Sequence, residues 1–203
     1  MEDAAKEVLN DFVARFRNNP FGYLTECDLQ GDLFASLRRR FPQECEVPAH
    51  DPSREGYMLK AVYTEYGGAN HRSKFDIVCL DLEEIRGLPA DTRVRYKGSD
   101  TYIFHLPIRI GIELKYVTMG YRKGVDIVDS DYEKLGTVDN VRHKLAMCFL
   151  QGARQEEAFL SDERLSGRCE SMSEISAVDG IFAIGPDGVY RISTNAHQNT
   201  PGA

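Results

Sequence analysis

Glu113-Leu114-Lys115 is the only acid-x-lysine triplet in this chain. In an extended strand side chains alternate between faces, so Glu113 and Lys115 share one. A charged pair inside an apolar strand costs free energy unless it is paired or solvated at a cleft. A second signal lies upstream, where Phe75-Asp76-Ile77-Val78-Cys79-Leu80 is an apolar run interrupted by one carboxylate. Such a run reads as a buried central strand, and its carboxylate needs a partner. If the two strands are neighbours, Asp76 and Glu113 face each other and repel. A hard cation such as Mg²⁺ relieves that repulsion, taking one or two carboxylates, waters and a phosphate oxygen. The plainer alternatives are a surface ion pair on an edge strand for Glu113 and Lys115, and a structural carboxylate bonded to a turn amide for Asp76.

The elements that must position these residues are legible in outline. Val8, Leu9, Phe12, Val13 and Phe16 recur at helical spacing, predicting a helix over residues 3–17 that Asn18-Asn19-Pro20 stops. A second helix is predicted from Glu26 to Arg40, capped by Thr25 and ended by Pro42. Residues 57–66 and 73–81 read as strands of a hairpin around the turn GGANHR. Residues 108–117 read as a third strand, with Ile108, Ile110, Ile112 and Leu114 opposite Arg109, Gly111, Glu113 and Lys115. Between them lies an insertion, about residues 82–107, that suggests a short helix and an extra strand at TYIFHL. Val138, Val141, Leu145, Cys148 and Phe149 predict a long helix over about 138–160. IFAI, the turn Gly185-Pro186-Asp187-Gly188 and VYRI predict a final hairpin. The expectation is one α/β domain over residues 1–194, a mixed sheet flanked by helices, followed by a disordered tail at 195–203.

Composition narrows the function classes. The chain has 203 residues, 42% hydrophobic and 28% charged, which suits one globular domain. No apolar run reaches the ~18 residues of a membrane span, and the acidic start MEDAAKEVLNDF is not a secretion signal. A cytoplasmic protein with no membrane partner is expected. The five cysteines are widely spaced without a C-x-x-C, so reduced, mostly buried thiols are expected. A net charge of −7 argues against a uniformly basic nucleic-acid coat and leaves room for a local basic cleft. Phosphate-loop, dinucleotide, zinc-protease and serine-hydrolase motifs are all missing.

Taken together, YLTECDLQGDL, SKFDIVCLD and GIELKYV resemble the PD-(D/E)xK nucleases, the restriction-endonuclease-like superfamily. In that pattern an early-helix Glu precedes an Asp on one strand and Glu-x-Lys on the next. Phe75 stands where a proline often precedes the Asp, and the insertion lengthens the Asp76–Glu113 gap. The resemblance implies a restriction-endonuclease-like core with an insertion between its second and third strands. It implies that Asp76 and Glu113, with the Leu114 carbonyl, ligate Mg²⁺ or Mn²⁺. Lys115 would orient or help deprotonate the attacking water, and Glu26 would reach the metal through water, with Asp28 its competitor. His143 and Lys144, on the later helix, are further phosphate candidates, and His71 reads as an ordinary loop histidine. The implied activity is hydrolysis of a phosphodiester, with DNA the expected partner; such enzymes are commonly homodimers. The rival expectations are a non-catalytic nucleic-acid- or protein-binding module on the same fold and an interaction protein of unrelated α/β fold.

Overall fold

The computed structural model describes residues 1–47, 56–67, 74–88, 94–96, 99–101, 106–118, 138, 140–165 and 167–193. Helix α1 (Glu2–Asn18) buries Ala5, Val8, Leu9, Phe12, Val13 and Phe16 on one stripe. Helix α2 (Glu26–Arg40) begins where Thr25 and Asp28 form a reciprocal capping box, each side chain satisfying the other's backbone amide. It buries Leu29, Leu33 and Leu37. Phe12 and Phe16 of α1 meet Phe149 edge-on, at ring-centre distances of 5.4 and 4.9 Å.

Those helices cover a mixed sheet of seven strands. The strands are β3 (Val62–Gly67), β4 (Lys74–Leu80), β7 (Ile108–Val117), β8 (Val141–Leu150), β9 (Cys169–Met172), β10 (Gly180–Ile184) and β11 (Val189–Ile192). Their spatial order is β3-β4-β7-β8-β10-β11-β9. β3, β4 and β7 form an antiparallel meander, with Ile77 opposite Ile112 and Val78 opposite Gly111. β8 lies parallel to both β7 and β10, and β10, β11 and β9 close the sheet antiparallel. Two smaller pairs stand apart: β1 (Glu44–Val47) with β2 (Tyr57–Lys60), and β5 (Val94–Tyr96) with β6 (Ser99–Thr101).

The helix expected over 138–160 is corrected. Residues 141–150 are strand β8, and only Ala153–Leu160 is helical (α4). The misreading has a physical cause. From Leu145 to Leu150 every residue is buried, because a strand with neighbours on both sides and both faces covered loses its alternation. Its sparse polar start then mimicked helical spacing. The single strand expected at 57–66 is interrupted at Ala61, and its first half pairs with β1 in a separate sheet. The insertion holds helix α3 (Leu82–Arg86) and the β5–β6 pair; residues 102–105 of TYIFHL lie outside the described residues. His71 and the tail at 195–203 also lie outside them. Cys45, Cys79 and Cys148 are buried thiols, Cys169 is half-buried and Cys27 exposed. Among the described residues no helix is long and apolar enough to cross a membrane.

Candidate active site

β7 is central, and its neighbours cover it along most of its length, so Glu113 is only 3% exposed. Lys115, two residues on, reaches back to the same face: its Nζ lies 3.3 Å from Glu113 Oε1. The same ammonium lies 3.6 Å from Glu26 Oε1 at the start of α2. Glu26 is further fixed because its Oε2 accepts the Tyr116 amide at 3.0 Å. One carboxylate of the helix therefore touches two consecutive residues of the strand.

Asp76 completes the group from β4. The β4–β7 ladder pairs Ile77 with Ile112, which leaves Asp76 one step on, beside Glu113. The Leu114 amide donates to Asp76 Oδ2 at 2.6 Å, short enough for a charge-assisted bond. Burial pushes the Asp76 carboxyl up, the Glu113 charge pushes it further, and Glu26 adds to both. The Leu114 amide and Lys115 oppose them, and the balance leaves Asp76 at about 6. The insertion of about residues 82–107 does not separate Asp76 from Glu113, because β4 and β7 pair directly across it.

Phe75 packs against the backbone of β7 on this side of the pair. A Cβ built on Gly111 would lie 2.6 Å from the Phe75 ring, so glycine is what lets the ring close on the strand.

The two early-helix acids have different partners. Asp28 Oδ2 accepts the Leu24 and Thr25 amides at 2.9 and 2.8 Å, and these bonds hold its carboxyl below the usual range. It is occupied as a cap, whereas Glu26 reaches Lys115. His143 and Lys144 sit on β8, not on a helix. His143 Nε2 faces Glu2 at 3.2 Å, and the Lys144 amide donates to Asp179. Their register partners are Ile110 and Gly111, towards the amino-terminal end of β7, whereas Glu113 lies opposite Ala146.

Two residues were not anticipated. Gln30 Nε2 donates to the Asp76 carbonyl at 2.8 Å and to Glu65 Oε1 at 3.0 Å. Its signal was available: it lies four residues after Glu26, on the same face of α2. Glu65 sits at φ 52°, a left-handed conformation uncommon outside glycine, and the β3–β4 ladder skips it. Nothing in its sequence context signals that.

The donor set suits a hard divalent cation. Asp76, Glu113 and Glu26 offer carboxylate oxygens without sulfur or imidazole. Among the described residues no group of three or more His, Cys, Asp or Glu is arranged to hold a metal ion. Two carboxylates with a backbone carbonyl and substrate oxygens is the arrangement that Mg²⁺ accepts, because it keeps several waters. None of the family models, curated proteins or solved structures compared with this chain matches it.

Proposed function

We propose that this chain is a divalent-metal-dependent nuclease with a restriction-endonuclease-like core, hydrolysing phosphodiester bonds in DNA. The observation that carries the reading is the convergence of Asp76, Glu113, Lys115 and Glu26 from two paired strands and a capped helix. A raised carboxyl beside a second acid and a lysine, partly open to solvent, supports the reading, because perturbed acids cluster at functional sites as well as in structural ion-pair networks.

Asp76 and Glu113, with the Leu114 carbonyl, would hold Mg²⁺ or Mn²⁺. When bound, such an ion lowers the pKa of its water and polarises the phosphoryl oxygen. The chain's own residues supply the rest. The Leu114 amide fixes the Asp76 carboxylate. Glu113 and Glu26 hold the Lys115 ammonium between them. From there the ammonium orients the attacking water and offsets the charge that develops as water adds to phosphorus and the bridging oxygen leaves.

Purified protein is expected to cut DNA with Mg²⁺ or Mn²⁺ and to stop with chelator. Asp76→Ala, Glu113→Ala and Lys115→Ala are each expected to lower the rate by at least two orders of magnitude while circular dichroism stays unchanged. Equal cutting by those variants sinks the assignment. One observation favours a second reading. Lys115 already lies between Glu113 and Glu26, so the group is partly neutralised without a metal. A non-catalytic nucleic-acid-binding module fits that arrangement, and tight DNA binding in chelator with no cutting under either metal selects it.

A further inference from the structure

Among the described residues, four large hydrophobic side chains are exposed: Met1, Phe21, Leu24 and Met58. Two of them, Phe21 at 61% and Leu24 at 79%, lie in the short loop that leads into Glu26.

The loop is pinned. Pro20–Gly22 form a single 3₁₀ turn closed by the Gly22 amide on the Asn19 carbonyl. The Tyr116 hydroxyl sits between the Pro20 and Tyr23 carbonyls, at 3.1 and 2.8 Å. Tyr23 donates its own hydroxyl to Asp32 at 2.8 Å, and the Leu24 and Thr25 amides are bound by Asp28. Fixed backbone at both ends holds Phe21 and Leu24 outwards with little conformational entropy left to lose.

The loop leads directly into Glu26 of the candidate site. The Tyr116 side chain, which carries the loop, lies on the face of β7 opposite Lys115, and Glu26 joins the two by binding the Tyr116 amide and meeting the Lys115 ammonium. The Phe21 ring lies 3.6 Å from where a Gly152 Cβ would stand, just past the carboxyl end of β8. β7 and β8 run parallel, so the ring lies over the same end of the sheet as Lys115.

The chemistry of the loop selects what covers it. Residues 18–27 contain no lysine or arginine, so the loop has no charge to offer a phosphate backbone. A rigid phenyl face with an aliphatic neighbour suits the π-face of a nucleobase. In an intact duplex that face is occupied by neighbouring bases. Resting on the nuclease reading, we propose that the substrate is single-stranded or locally unpaired nucleic acid, with Phe21 stacking on an unpaired base beside the scissile phosphate and Leu24 flanking it.

The test uses the full chain and its Phe21→Ala and Phe21→Trp variants, with Mn²⁺ and Mg²⁺. The substrates are a single strand, a blunt duplex and the same duplex carrying an unpaired bulge. The parent is expected to cut the single strand and the bulge in preference to the blunt duplex. Phe21→Ala should raise KM on those two substrates by roughly tenfold or more, with kcat changed far less, and Phe21→Trp should restore it. A parent that cuts only the blunt duplex, or unchanged KM in Phe21→Ala, overturns the proposal while leaving the nuclease reading standing. If the parent cuts nothing, the nuclease reading fails, and fluorescence anisotropy with the single strand decides the stacking alone. Weaker binding by Phe21→Ala and recovery by Phe21→Trp support it; equal binding, or none by the parent, overturns it.

Discussion

At its amino-terminal end β7 presents Arg109; towards its carboxyl end it presents Glu113 and Lys115. Around Arg109 each acid meets a guanidinium. Its guanidinium bridges Asp81 at 3.0 Å and Glu2 at 3.1 Å, while Arg142 reaches Asp81 at 3.7 Å and Glu84 at 3.5 Å. Burial works against ionised Asp81, but the Glu84 amide, Arg109 and Arg142 outweigh it and hold the carboxyl below its ordinary value. Around Lys115, among the described residues, Asp76, Glu113 and Glu26 gather about the Lys115 ammonium, and Asp76 is pushed up to about 6. The same strand thus carries one cluster whose groups stabilise one another's ionised forms and one in which an acid is held against its preference. The first arrangement stabilises the fold. The second, a carboxyl raised beside a second acid and a lysine, is the kind of arrangement that marks a candidate functional site.

The sharpest way to break that comparison is to remove an acid from each cluster. Asp81 is 5% exposed and also accepts the Glu84 amide at the start of α3. Asp81→Ala leaves Arg109 facing Glu2 alone and uncaps α3, and is expected to cost about 2–3 kcal/mol in urea denaturation, discounted from a fully buried pair because Arg109 is partly exposed. Per folded molecule, its cutting rate should equal the parent's. A folded Asp81→Ala protein as inactive as Asp76→Ala would erase the distinction between the two ends.

The next effect is smaller and of opposite sign. Asp76 has a folded-state pKa of about 6, above the ordinary value near 4 of an unfolded chain. The folded state therefore binds this proton more tightly than the unfolded one. The stability contributed by the protonated form is full below pH ~4 and is lost as pH rises through ~6. Asp76→Asn keeps an oxygen for the Leu114 amide without the charge. In chelator at pH 7.5 or so it should be more stable than the parent, on the order of 1–2 kcal/mol, with no gain near pH 4. Millimolar Mg²⁺ should raise the parent's Tm at the higher pH and leave Asp76→Asn unmoved. Loss of stability in Asp76→Asn at high pH would place Asp76 with the Arg109 cluster.

What could be read from the sequence follows from where physical signals are local. Thr25 as the cap and Pro42 as the stop marked α2 from Glu26 to Arg40, as found, and the structure adds Asp28 as the other half of a capping box. The alternation of residues 108–117 marked β7 and put Glu113 beside Lys115. β8 was misread because burial on both faces removes alternation, and β1 and β9 were missed because ECEV and CESM are short and polar. Asp76 was legible as a misplaced carboxylate, but its place beside Glu113 depends on a β4–β7 ladder that bridges a long insertion. The φ of Glu65 and the reach of Gln30 across to β4 arise only from tertiary packing.

Gln30 gives the finest test of the comparison, because it is a neutral group acting only at the Lys115 end. Its amide holds the Asp76 carbonyl, and hence the backbone that aims the Asp76 carboxylate, while also accommodating Glu65 in its left-handed turn. A non-glycine residue there costs about 1 kcal/mol, and such strain persists only where neighbours over-determine it. Gln30→Ala removes one neutral hydrogen-bond donor, so its stability cost should be about 1 kcal/mol. If Gln30 only braces the fold, activity per folded molecule is untouched. If it positions Asp76, kcat falls roughly three- to tenfold with KM nearly constant, because a misplaced ligand weakens interactions made in the transition state more than substrate binding. Steady-state cutting at a temperature where both proteins are fully folded separates the two, and an unchanged kcat assigns Gln30 to the scaffold.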